Sequence, residues 1–219
     1  MYLPPHFKEE RLSVLHQAIH DIGLATLVTF GTAGLEASHV PLLLDTTTGT
    51  GESAPYGTLY GHLARGNRQL QCAVPDAEAL AIFLGPASYV SPSWYPTKVE
   101  TGKVVPTWNY MTVHAYGRLQ VIEDPDGLLK IVTRLTNKHE SGRQSPWAVS
   151  DAPSDFIQAQ LKGIIGFSLP LTRIEGKWKM SQNRPAADRA GVASGAAAEG
   201  RQDILDILTA IDAETPENH

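Results

Sequence analysis

A single cysteine, Cys72, occurs in 219 residues. An internal disulfide is excluded, and so thiol-poor a chain fits a reducing compartment. No stretch approaches the ~20 consecutive apolar residues of a membrane-spanning helix, although a hydrophobic share of 42% suffices for a core. The N-terminal MYLPPHFKEERL lacks the basic-then-apolar order of a signal peptide. These absences lead us to expect a soluble, cytoplasmic protein with no membrane partner. A basic excess is missing as well. The net charge is −5, but six of the 23 acids and one of the 18 bases lie from Glu199 onward, which leaves residues 1–198 neutral. DNA-binding domains concentrate positive charge on one face. Direct DNA binding therefore stays open but draws no support from charge.

Familiar catalytic and cofactor patterns are absent too: the chain has no G-x-G-x-x-G, no P-loop and no G-x-S-x-G. Cys72 sits in the apolar LQCAV, the setting of a packed, inert thiol. His39, His62 and His114 fall on three strand-like segments without a carboxylate motif beside them, and read as structural hydrogen-bonding groups. No metal ligand set and no catalytic acid-base pair is assigned.

What the chain does have is concentrated in residues 89–117, YVSPSWYPTKVETGKVVPTWNYMTVHAYG. Trp94, Trp108, four tyrosines and three prolines fall within it. Loops are ordinarily small and polar; this one is stiff and offers flat apolar faces beside hydrogen-bonding groups. Two readings fit: a crossover that plugs the end of a barrel, or a grip for a planar ligand or a partner subunit.

Around it, apolar spacing predicts helices over 7–22, 124–139, 154–162 and 200–212, and another opened by Pro185. Asp124 is the expected cap of the second, with Pro125 in its first turn. Residues 24–30 and 35–45 read as a hairpin, with Pro41 marking an edge or a bulge. Residues 46–57 read as a loop, 58–71 as a strand running into a helix, and 79–85 as a strand buried on both faces. Residues 164–180 read as two strands joined by a tight turn at Glu175 and Gly176, and ASGAAAEG as a mobile link. Strands in meander order with helices between some of them predict a mainly β fold with peripheral helices (α+β), an antiparallel barrel. The expected organisation is one domain over 1–195 and an acidic helical tail over 196–219.

Three segments gather donors. HLARGNR brings His62, Arg65, Asn67 and Arg68 to a strand-to-helix turn, where helix-start amides and arginine forks favour phosphate. SPSWY offers Ser91, Trp94 and Tyr95. KWKMSQNR aligns Lys177 with Lys179 and continues into the polar run Ser181, Gln182, Asn183 and Arg184.

Taken together, MYLPPHF, ASHVPLLLD, GHLARGN, YVSPSWY, VPTWNYMTVHAYG, LTNKHE before Trp147, and GKWKMSQNRP resemble the PaiB-type family. Its members are FMN-binding negative transcriptional regulators with a split-barrel fold related to pyridoxamine-phosphate oxidases. The resemblance runs from residue 1 to about 195 and stops at the alanine-rich, acidic tail. It implies an FMN-binding split β-barrel that forms a homodimer, with one flavin in each of two interface clefts. It also implies that Arg65, Asn67 and Arg68 cradle the phosphate, with His62 among the cofactor-binding residues, and that Ser91, Trp94 and Tyr95 line the isoalloxazine. Lys179, Gln182, Asn183 and Arg184 would reach the cleft from the same or the partner chain. The function so implied is a flavin-dependent sensor acting on transcription. The rival is an FMN-dependent oxidoreductase acting on a small molecule.

Overall fold

Gly23 is the C-cap of the first helix with φ of 65°, a left-handed value that glycine adopts without strain. That helix, α1 (Leu12–Ile22), is shorter than the 7–22 expected. Residues Pro5–Phe7 form a 3-10 turn and Lys8–Glu9 a short strand, β1. The difference has a tertiary cause, since Lys8 and Glu9 pair with Lys177 and Gly176. The computed structural model describes residues 1–47 and 54–214. Most of the loop expected over 46–57, and residues 215–219 of the tail, lie outside the described residues.

The remaining strands are β2 (Leu24–Gly31), β3 (Gly34–Pro41), β4 (Leu43–Asp45), β5 (Thr58–Ala64), β6 (Glu78–Val90), β7 (Thr107–Arg118), β8 (Gln120–Ile122) and β9 (Ile164–Lys179). The helices are α2 (Gln69–Cys72), α3 (Thr97–Thr101), α4 (Pro125–Glu140), α5 (Ser154–Leu161), α6 (Ala186–Ala198) and α7 (Gln202–Glu214). Among the described residues the strand order is β3-β2-β6-β7-β9-β5-β4, with β1 and β8 also pairing β9. The registers resolved are antiparallel. The hairpin of β2 and β3 turns between Gly31 and Gly34, and Pro41 is the last residue of the outermost strand. Among the described residues no strand beyond that edge needs the amide that proline lacks.

Two expectations fail at β6 and β9. Residue exposure alternates along β6: Ala79, Ala81 and Phe83 are buried while Leu84 is exposed, so the strand is not covered on both faces. Residues 164–179 form one strand without a turn at Glu175 and Gly176. A two-residue hairpin turn of the primed type needs positive φ, and Gly176 is not among the glycines that have it. Its backbone stays extended, paired with Glu9. ASGAAAEG is likewise no link at its start, since α6 continues through Ala198.

The chain divides into two units, with boundaries inside β6, β7 and β9. The first comprises Met1–Glu10, Leu84–Thr112 and Glu175–His219; the second comprises Arg11–Phe83 and Val113–Ile174. The core of the first is Val90, Tyr95, Met180, Val192, Ala196, Ile204 and Leu208, flanked by Trp94 and Met111. The second buries Leu15, Ile19, Leu27, Leu59, Phe83, Val113, Phe167 and Leu169. There α4 lays Leu128, Ile131 and Leu135 inward, and its start is capped as expected, the Asp124 carboxylate accepting from the Gly127 amide at 2.7 Å.

Candidate functional site

In the first unit the aromatic-rich stretch meets the end of β9. Lys177, only 7% exposed, donates to the Tyr2 carbonyl at 3.0 Å and stands 5.4 Å from the ring centre of Tyr110. Two residues on, and so on the same side of the strand, Lys179 donates to Thr107 Oγ1 at 2.6 Å and to the Trp108 carbonyl. Its ammonium lies 5.8 Å from the ring centre of Phe7. The guanidinium of Arg184 covers the Tyr95 ring at 4.7 Å.

Burial lowers the pKa of Lys179, and the nearby charges of Lys177 and Arg184 lower it further. Among the described residues no carboxylate offsets them at Lys179. Like charges gathered in partly desolvated surroundings destabilise the protein that holds them. A cluster of this kind favours an anion beside it, and the adjacent rings offer flat apolar faces.

The loop that carries Arg184 is held in one conformation. Ser181 is buried and takes φ of 63°, a strained value for a residue with a Cβ. Its hydroxyl donates to Asn109 Oδ1 at 3.0 Å. Gln182 braces the same turn, accepting from the Met180 amide at 2.7 Å and donating to the Trp178 carbonyl at 2.6 Å. Gln182 is therefore spent on the backbone, while Asn183 is exposed. Lys177, Asn109 and Phe7 lie outside the set of site residues that the family resemblance implies. The period-2 alignment of Lys177 with Lys179 was the available signal for the first.

Ser91 caps the turn Pro92–Trp94, accepting from the Ser93 amide at 3.2 Å. Trp94 packs on α6, where Gly191 and Gly195 leave room for it. Tyr95 is 2% exposed. Burial raises its pKa, with Arg184 working in the opposite direction. That guanidinium lies over the ring face at 4.7 Å, and among the described residues the buried hydroxyl meets no partner in hydrogen-bonding geometry. Trp108, in contrast, is 56% exposed and meets the half-exposed Tyr89 edge to face at 6.1 Å.

The 62–68 segment belongs to the second unit. Arg65 is committed to the fold, donating to the carbonyls of Lys162 and Ile164 at 3.2 and 3.0 Å and to Glu123 at 2.9 Å. Asn67 donates to Ser38 at 2.9 Å and accepts from the Gln69 amide at 3.0 Å. The helix that follows is only Gln69–Cys72, too short to sum a useful dipole. Arg68 is exposed. His62 lies on β5 with Nδ1 buried and unpartnered, and burial lowers its pKa. Among the described residues His39 meets Thr26 at 3.0 Å and His114 meets Tyr116 at 3.4 Å; no group of three potential metal ligands forms there.

Residues 1–173 match the FMN_bind_2 family model, described as "Putative FMN-binding domain". An uncharacterized protein of Emericella nidulans is 36% identical over 225 residues, covering 89% of this chain and 90% of its own. The protease synthase and sporulation protein PAI 2 of Bacillus subtilis is 31% identical over 188 residues, covering 86% and 85%. Among solved structures, an FAD and heme binding protein from Mycobacterium smegmatis superposes with a TM-score of 0.56 at 15% identity, over 78% of this chain and 73% of that one. The flavocytochrome Anf3 of Azotobacter vinelandii gives 0.54 at 11%, over 78% and 69%. At these identities the likeness is one of fold, the antiparallel split barrel.

Proposed function

The chain belongs to the FMN-binding domain family that its residues 1–173 match, and on that premise we propose that it is a dimeric, cytoplasmic, flavin-dependent regulator of transcription. FMN is its cofactor, and the cluster of Lys177, Lys179 and Arg184 holds the phosphate. The observation that carries this placement is the convergence of Lys177, Lys179 and Arg184 beside the rings of Tyr110, Phe7 and Tyr95, like charges that a phosphate would offset. The rings of Phe7 and Tyr110, beside the same cations, suit the flat isoalloxazine. The matched segment includes these rings and ends before Lys177. Bound FMN supplies electron-transfer chemistry of its own; the chain's residues bind it, orient it and screen it from water.

The regulatory part of this reading is supported by similarity to the Bacillus subtilis protein, whose name refers to protease synthase and sporulation. With residues 1–198 neutral, action on transcription is indirect or runs through a modest basic patch of the dimer. A gel-shift titration against a promoter fragment and non-specific competitor separates the two, because direct binding weakens steeply with salt. The rival reading, an FMN-dependent oxidoreductase, is favoured by the fold shared with a flavocytochrome. Rapid bleaching of bound flavin by NADH or NADPH, followed by reoxidation on a defined acceptor, would favour that reading over the regulator.

A further inference from the structure

The second unit carries a groove that the flavin reading leaves unused. It lies along one flank of α4, has a volume of about 530 Å³, and is walled by Leu43, Tyr60, Ile122, Leu129 and Ile131. Leu43 and Tyr60 are direct cross-strand partners on β4 and β5, so one wall is rigid sheet. The helix wall is fixed at two glycines. A Cβ on Gly166 would stand 2.9 Å from Leu128 Cδ2, and one on Gly127 would stand 2.8 Å from Ile122 Cγ2. The helix therefore sits hard against the sheet at those points and cannot roll to fill the groove, whose Leu129 and Thr133 remain half-exposed.

Charge decides what such a groove accepts. Its polar members include Lys130 and Arg134, four residues apart on a helix and thus neighbours on its surface. Lys130 is exposed. Arg134 is anchored from behind, donating through one nitrogen to Asp45 at 2.8 Å, and its guanidinium stands 5.5 Å from the centre of the Tyr60 ring. Asp45 is only 5% exposed, and among the described residues no carboxylate lines the groove. An anchored guanidinium keeps its orientation, so an anion meeting it loses little freedom.

We propose that this groove binds a small apolar monoanion, a carboxylate on an aromatic or aliphatic body, as a ligand separate from the flavin. The apolar wall takes the body, while Lys130 and Arg134 take the carboxylate at the rim. A volume of this size is that of a small-molecule pocket, and the surplus of cations excludes amines.

The test uses 8-anilinonaphthalene-1-sulfonate, a fluorescent apolar monoanion, with the full-length protein. The expected result is saturable binding of one probe per chain, displaced by decanoate and not by decylamine. Thr133→Trp, which fills the groove, abolishes the signal. Lys130→Glu weakens probe and decanoate at least tenfold. Both variants keep the parent thermal midpoint and FMN affinity, which separates failure here from failure of the flavin reading. Non-saturable binding, equal displacement by decylamine, or unchanged binding in Thr133→Trp would overturn the proposal. So would a silent wild-type protein whose self-association is lost in Thr133→Trp, because a second copy would then cover the groove.

Discussion

The indole of Trp94 occupies the space where Gly195 has no side chain: a Cβ there would stand 2.2 Å from Trp94 Cδ2. One turn earlier on α6, a Cβ on Gly191 would meet the Trp94 carbonyl oxygen at 1.9 Å. Replacing a mid-helix glycine by alanine ordinarily stabilises by ~1 kcal/mol. Here the sign reverses, because the contact cannot open without moving core atoms. Gly195→Ala is expected to cost about 1–3 kcal/mol, read by chemical denaturation. Gly142→Ala, whose Cβ meets nothing within 4 Å, should stay within ~0.5 kcal/mol of the parent.

The Ser181 hydroxyl and its strained backbone make separable contributions. Ser181→Ala keeps the strain and leaves the buried Asn109 amide without its partner, at a cost of about 1–3 kcal/mol. Ser181→Gly loses the same hydrogen bond but relieves about 1 kcal/mol of left-handed strain. The glycine variant should therefore be the more stable of the two, measured side by side in urea.

His62 sets a pH dependence. Burial holds its folded pKa below the ordinary 6.5. The unfolded chain then binds the proton more readily, so the contribution of His62 is complete above pH 6.5 and is lost as pH falls toward the folded value. His62→Gln should flatten the acid-side decline of the thermal midpoint below about pH 6.5. An unchanged decline would place its cause elsewhere.

Much of this fold is legible in local chemistry. The Asp124 cap, the β2–β3 hairpin and the helix opened by Pro125 each depend on near neighbours in sequence, and each forms as expected. The misreadings were decided at long range. Lys8 and Glu9 are drawn from the expected helix by residues about 170 positions away, and that same pairing keeps Glu175 and Gly176 extended. The alanine-rich segment reads as a link only while its partner, Trp94, is unknown. For the site, residue type was visible but commitment was not. Arg65 and Gln182 look like free donors in sequence, yet both also bond backbone groups, as Lys177 and Lys179 do. Lys177 becomes prominent only once Lys179 and Arg184 share its surroundings.

Trp108 and Tyr89 form an exposed edge-to-face pair, a composition enriched at protein interfaces. If the proposed dimer uses it, Trp108→Ala should raise the dimer dissociation constant at least tenfold in sedimentation equilibrium, as expected for a truncated aromatic anchor. An unaltered dimer would assign the interface to another surface.

The most direct test of the flavin account is a titration of apoprotein with FMN, followed by quenching of flavin fluorescence, in parent and Lys179→Met. The parent should bind one FMN per chain. The variant should bind at least tenfold more weakly, as expected when a charge-assisted bond of about 1.5–3 kcal/mol is lost, and riboflavin affinity should change far less. Equal FMN affinity in the two proteins, with the variant folded, would contradict the placement of the phosphate at this cluster.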